Sequence, residues 1–181
     1  MKRGNNYIIH KDKQVAMIGK SGSSAIAKAI YIDGGGDVSE SMLLSERPIF
    51  QKLVSKTQDA NRPMMPVRDP VERFTSACLQ ENRTASQQIV KIEMGIYTYH
   101  TKPTSAYLVE GATLYKFPEH IKEIARDLGI DKIPKVNDSL LKKRLKPILN
   151  EEEIKRVREL YKEDLILFNS IKNSGQIYQS K

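Results

Sequence analysis

Gly19-Lys20-Ser21-Gly22-Ser23-Ser24 separates two apolar stretches, Val15-Ala16-Met17-Ile18 before it and Ala25-Ile26-Ala27-Lys28-Ala29-Ile30 after it. A compact apolar run ended by glycine predicts a buried strand over residues 14–18. From Ser23 onward, Ile26, Ala29 and Ile30 recur at helical spacing, until Asp33-Gly34-Gly35-Gly36-Asp37 stops the helix. Strand, tight turn and helix in this order bring the unpaired amides of a helix N-terminus to the end of a strand, a natural seat for an anion.

The motif must sit in something. At 181 residues the chain is expected to form a single domain spanning residues 1–181, large enough to bury about 70% of its unfolded surface. Its hydrophobic share of 39% is that of a globular protein, and no internal repeat appears. The apolar runs are far shorter than the ~20 residues of a membrane span, and MKRGNNYIIHKDK lacks a signal-peptide apolar core. A soluble, cytoplasmic protein without membrane partners is therefore expected. Cys78 is the only cysteine and the three histidines are scattered, so neither an intrachain disulfide nor a structural metal is anticipated. The net charge of +8 favours anionic partners. Nucleic acid is not expected among them, because the basic residues are dispersed and no aromatic-basic RNA motif is present.

Further elements follow from local chemistry. Residues 64–67 read as a second strand, although Pro63 and Pro66 oppose an interior position because proline donates no ladder hydrogen bond. Asp69 caps a helix opening at Pro70, Glu72 completes a capping-box pattern, and Phe74, Ala77 and Cys78 line its apolar face. Residues 84–94 read as helix, and residues 107–109 and 113–117 as strands about the Glu110-Gly111 turn. Pro118 opens a helix carrying Ile121, Ile124 and Leu128 and closed by Gly129. Asn150 and Glu153 form a capping box for a last helix with Ile154, Val157, Tyr161, Leu165 and Phe168 on one side. Residues 38–61 carry a weak pattern, read as a helix or loop excursion. Alternating strands and helices of this kind indicate an α/β protein built on a parallel sheet.

The tripeptide Gly19-Lys20-Ser21 evokes a triphosphatase loop, GxxxxGK[S/T]. That loop needs glycine at position 14, which is Gln14. What remains is still suited to an anion: backbone amides, the mobile charge of Lys20, and the hydroxyls of Ser21, Ser23 and Ser24.

A second segment narrows the choice. In Pro66-Val67-Arg68-Asp69-Pro70-Val71-Glu72-Arg73-Phe74-Thr75-Ser76-Ala77, capping and core packing account for Asp69, Pro70, Glu72, Phe74 and Ala77 but not for Arg68 and Ser76. RDPVERFTSA resembles the 3′-phosphate motif of sulfotransferases that use 3′-phosphoadenosine 5′-phosphosulfate (PAPS), the carbohydrate group in particular. IGKSGSS is similar to the 5′-phosphosulfate loop of that family. The resemblance implies that Lys20, Ser21, Gly22, Ser23 and Ser24 hold the 5′-phosphosulfate, and Arg68 and Ser76 the 3′-phosphate. His100-Thr101-Lys102-Pro103-Thr104-Ser105-Ala106-Tyr107-Leu108 looks like the family's H-x-x-P-Q-x-x-Y-L segment with Thr104 in place of glutamine. Tyr115-Lys116-Phe117-Pro118-Glu119 and the stretch from Glu159 to Phe168 are similar to its strand-to-helix unit and closing helix, so the likeness runs from about residue 14 to 168.

The implied fold is α/β, a P-loop-like three-layer sandwich with a central parallel sheet flanked by helices. The implied reaction moves a sulfuryl group from PAPS to an acceptor hydroxyl on a carbohydrate, with no metal. Lys20 would stabilise the developing charge, and His100 or Glu40 would take the acceptor proton. The chain is expected to depart from the family in its short length, in having no Golgi-type anchor, and in a compressed region between the two phosphate motifs. The basic run 135–146 reads as a solvated helix face, or as a surface approaching the 3′-phosphate or an acidic sugar. Two alternatives stay open: a catalytically degenerate binding protein of the same fold, and a nucleotide kinase or triphosphatase.

Overall fold

A computed structural model describes residues 5–36, 54–57, 62–134 and 147–180. Glu40, the basic run 135–146 and most of the excursion at 38–61 lie outside the described residues.

The architecture is mixed α/β. The strands are β1 (Asn5–His10), β2 (Lys13–Ala16), β3 (Val54–Thr57), β4 (Met64–Val67), β5 (Thr113–Lys116) and β6 (Gln176–Ile177). They form one open sheet in the order β3-β1-β2-β4-β5-β6. Only the inner three strands are parallel, with Val15 opposite Met64 and Val67 opposite Lys116. The expected central parallel sheet is thus present in three strands, and antiparallel strands extend it on both sides. β1 pairs antiparallel with β2 through the turn Lys11-Asp12, and a parallel crossover cannot be closed by so short a link. β3, within the stretch read as helix or loop, adds antiparallel to β1, and β6 adds antiparallel to β5.

Among the described residues the helices are α1 (Ser23–Asp33), α2 (Pro70–Glu81), α3 (Ala85–Glu93), α4 (Ile121–Leu128), α5 (Glu151–Leu160) and α6 (Lys162–Ser170). Successive strand residues point to opposite faces. Val15, Met64 and Tyr115 accordingly join Ile26, Ile30, Ile124 and Leu128 in one buried cluster. Their neighbours Ala16, Met65 and Leu114 join Leu167 and Ile171 in another. A third cluster, Phe74, Cys78, Ile89, Ile92, Val157 and Tyr161, packs α2, α3 and α5 together. Among the described residues no helix is long and apolar enough to cross a membrane.

Four further readings need correction or sharpening. Pro66 does occupy an interior strand, because the β2–β4 ladder is registered only at Val15 and Met64 and has ended before its missing N–H is needed. Residues 107–109 form no strand: Ser105–Tyr107 is a 3₁₀ turn that drops the Tyr107 ring into the core. Pro118 precedes α4, which starts three residues later, behind a turn in which His120 Nδ1 accepts from the Lys116 amide at 3.1 Å. The final helix is two helices, broken at Tyr161, whose φ of −113° and ψ of 32° leave the helical region.

The capping box at Asn150 is present, with its side chain accepting from Glu153 N at 2.9 Å and Glu153 accepting in return. Asn150→Ala is expected to lower stability by about 1 kcal/mol, read as a shift in the urea unfolding midpoint at unchanged slope.

Candidate functional site

The loops that leave β2, β4 and β5 emerge at the C-terminal ends of the parallel strands, the edge at which open α/β sheets take ligands. The β2–α1 loop is the centre of this edge. It reverses through two left-handed residues, Lys20 at φ 62° and Gly22 at φ 82°. A side chain at Gly22 would also strike the Phe117 ring, with a Cβ only 2.4 Å from it, so the loop after β5 closes directly over the turn. At Gly19 a Cβ would lie 2.4 Å from the Tyr99 carbonyl oxygen and 2.9 Å from His100 Cα. Glycine at 19 thus answers to a backbone pressed against it.

The N-terminus of α1 has no side-chain cap and no acidic residue in its first turn. The positive end of its dipole is left for whatever anion meets the loop. Ser23 is buried and its hydroxyl donates to the Ile18 carbonyl at 3.1 Å, tying helix to strand. Ser21 is fully buried, and its hydroxyl has no partner among the described residues. Ser24 is the exposed hydroxyl of the loop.

Arg68 comes to this loop from the end of β4. Its Nη1 donates to the Lys20 carbonyl at 3.2 Å, and its Nε to Glu72 at 3.2 Å. Glu72 therefore pairs with Arg68, while Asp69 alone caps α2 through Val71 N and Glu72 N. Lys20 Nζ donates to Gln80 Oε1 on α2 at 3.4 Å. Ser76 is buried one turn before Gln80, and residues four apart share a helix face. Lys20, Arg68 and the face bearing Ser76 are thus joined around one turn.

His100 approaches the same turn from the segment after α3. Its backbone N–H donates to Thr98 Oγ1 at 3.2 Å, and its Nδ1 is buried without a partner among the described residues. Burial, and then the charge of Lys20, hold the imidazole below the usual histidine pKa, against an opposing pull from Glu81. The ring is consequently neutral at neutral pH and able to accept a proton. Tyr99 packs edge-on against it, centroids 5.4 Å apart, and donates its hydroxyl to the Met17 carbonyl at 3.1 Å.

Several residues of this edge were not singled out by motif. Arg73 and Asp164, each 1% exposed, pair at 3.2 Å, and the guanidinium lies 5.2 Å from the centre of the Tyr161 ring. Glu81 accepts from Thr98 Oγ1 and pairs with Arg83. One signal did exist: Arg73 shares the apolar face of its helix with Phe74 and Ala77, and a charge on such a face requires a partner. Among the described residues no group of His, Cys, Asp and Glu is arranged to hold a metal ion. Comparison with family models, with curated proteins and with solved structures returns no match.

Proposed function

We propose that the chain is a sulfotransferase of P-loop-like three-layer architecture, which moves a sulfuryl group from PAPS to an acceptor hydroxyl, on a carbohydrate. The observation that carries this reading is the Arg68 guanidinium bonded to the Lys20 carbonyl, because it joins two segments that the sequence relates to opposite ends of one nucleotide. Arg68 keeps further N–H groups for the 3′-phosphate, near the face that holds Ser76. The amides of Gly22, Ser23 and Ser24 and the Lys20 ammonium receive the 5′-phosphosulfate.

In the reaction the acceptor oxygen attacks sulfur in line while the bond from sulfur to the bridging oxygen breaks. His100 takes the acceptor proton, and adenosine 3′,5′-bisphosphate leaves with the electron pair. Lys20 and the helix amides stabilise the charge that accumulates on the leaving oxygen. The neutral imidazole supports the role given to His100.

Calorimetric titration with adenosine 3′,5′-bisphosphate tests the reading. Binding by the wild type is expected, weakened about 10- to 100-fold in Arg68→Ala, since a hydrogen-bonded charge contributes roughly 1.5–3 kcal/mol. Tighter binding of ATP than of the bisphosphate would favour the nucleotide kinase or triphosphatase instead.

A further inference from the structure

Residues 98–105 run past the phosphate turn without regular structure until the 3₁₀ turn opens at Ser105, yet are bonded on both sides of His100. On the near side, Thr98 N donates to Thr101 Oγ1 at 2.8 Å and Lys102 N to Thr98 O at 2.9 Å, while Thr98 Oγ1 reaches Glu81 at the end of α2. On the far side, the bonds come from deep in the helical layer. Tyr161 donates its hydroxyl to the Thr101 carbonyl at 2.6 Å, and Arg73 Nη1 donates to the Lys102 carbonyl at 2.8 Å. Asp164 accepts from Thr104 N at 2.7 Å and from Ser105 N at 2.8 Å, besides pairing with Arg73.

We infer that Tyr161 and Asp164, at and just after the break between α5 and α6, are positioning residues that fix His100 against the phosphate turn through the segment 98–105. A buried carboxylate is tolerable only where its oxygens are satisfied, and here two consecutive backbone amides and one guanidinium satisfy them in one arrangement. The segment therefore has one position relative to the helices. His100 depends on it, since its Nδ1 has no partner among the described residues and its backbone lies directly against Gly19. At the helix break itself the Tyr161 phenol meets the Thr101 carbonyl. Catalysis requires such placement, because a displacement of about 1 Å can lower a rate by roughly 10²-fold.

This inference rests on His100 being the proton acceptor, and its test separates the two. Tyr161→Phe removes one hydroxyl and keeps the buried ring. It is expected to lower kcat about 10-fold, with the affinity for adenosine 3′,5′-bisphosphate within twofold of wild type. In a His100→Gln background the same substitution should cause no further loss, because the two residues act as one unit. An equal loss in both backgrounds would overturn the inference. Independently of any activity, the His100 ring is titrated by NMR, its signal assigned with His100→Gln. Among the described residues the charges that act on it are those of Lys20 and Glu81, which Tyr161→Phe leaves in place, so a titration midpoint moved toward that of free imidazole reports a displaced ring. An unchanged midpoint would likewise overturn the inference. Should the wild type neither bind the bisphosphate nor transfer a sulfuryl group, the functional reading fails, and the NMR titration alone decides the positioning. Asp164→Asn, which keeps one acceptor oxygen but loses the charge, is expected to move the midpoint in the same direction.

Discussion

Lys20→Met is expected to lower the rate of sulfuryl transfer about 10²- to 10³-fold while leaving the protein folded, the magnitude typical of removing one preorganised charge-stabilising donor. The substitution is selective because Lys20 contributes separately through its backbone and its side chain. The carbonyl accepts from Arg68 and the backbone holds the left-handed turn, both of which methionine can reproduce. The ammonium is what disappears, and with it the bond to Gln80 and, in the proposed reaction, the charge offered to the leaving oxygen.

A second readout follows from electrostatics. Lys20 is one of the causes that lower the His100 pKa, so its removal raises that pKa. A base works only when deprotonated, and the acid limb of the kcat/KM profile follows the pKa of the free enzyme's base. Wild type should therefore hold its activity to a pH below the ordinary histidine range, and Lys20→Met should lose its residual activity at a higher pH. The profiles of the two proteins, measured from pH 5 to 9, check this. A residual rate that falls at the same pH in both would remove His100 from the base role, and an undiminished rate would remove Lys20 from the site.

Local chemistry explains which features were legible in the chain. Asp69-Pro70 and Asn150 with Glu153 mark helix starts because a cap and its partner lie within three residues of each other, and the structure places α2 and α5 accordingly. The antiparallel additions were not legible, because β1 and β3 depend on pairing partners chosen across the fold rather than on their own pattern. The break at Tyr161 was hidden for a related reason. Ile154, Val157, Tyr161, Leu165 and Phe168 keep a helical period, while the hydroxyl of Tyr161 is drawn to a carbonyl distant in sequence. The candidate site divides in the same way. Lys20, Ser21, Gly22, Ser23, Ser24 and Arg68 sit in compact motifs, whereas Arg73 and Asp164 reveal themselves only when one buried charge meets the other.

The second large effect is expected at a residue with no side chain. Gly19→Ala should lower stability by about 3 kcal/mol or more, a fall of roughly 10 °C in Tm for a chain of this size, and should weaken binding of adenosine 3′,5′-bisphosphate in the protein that remains folded. The cause is steric. The new methyl group would meet the Tyr99 carbonyl oxygen at 2.4 Å and His100 Cα at 2.9 Å, both backbone atoms that cannot rotate away as a side-chain tip could. Relief requires the β2–α1 turn or the segment 98–105 to move. The latter is held by Asp164, Arg73 and Tyr161, so much of the displacement falls on the β2–α1 turn. Gly95→Ala supplies the contrast. Gly95 has φ 75° with open space around it, so alanine there meets only the intrinsic penalty of a left-handed residue, about 1–2 kcal/mol, and leaves ligand binding unchanged. Thermal unfolding with and without the bisphosphate distinguishes the two variants. If Gly19→Ala were no more harmful than Gly95→Ala, the close approach of the His100 segment to the β2–α1 turn would be refuted, and with it the geometry from which the proposed proton transfer is drawn.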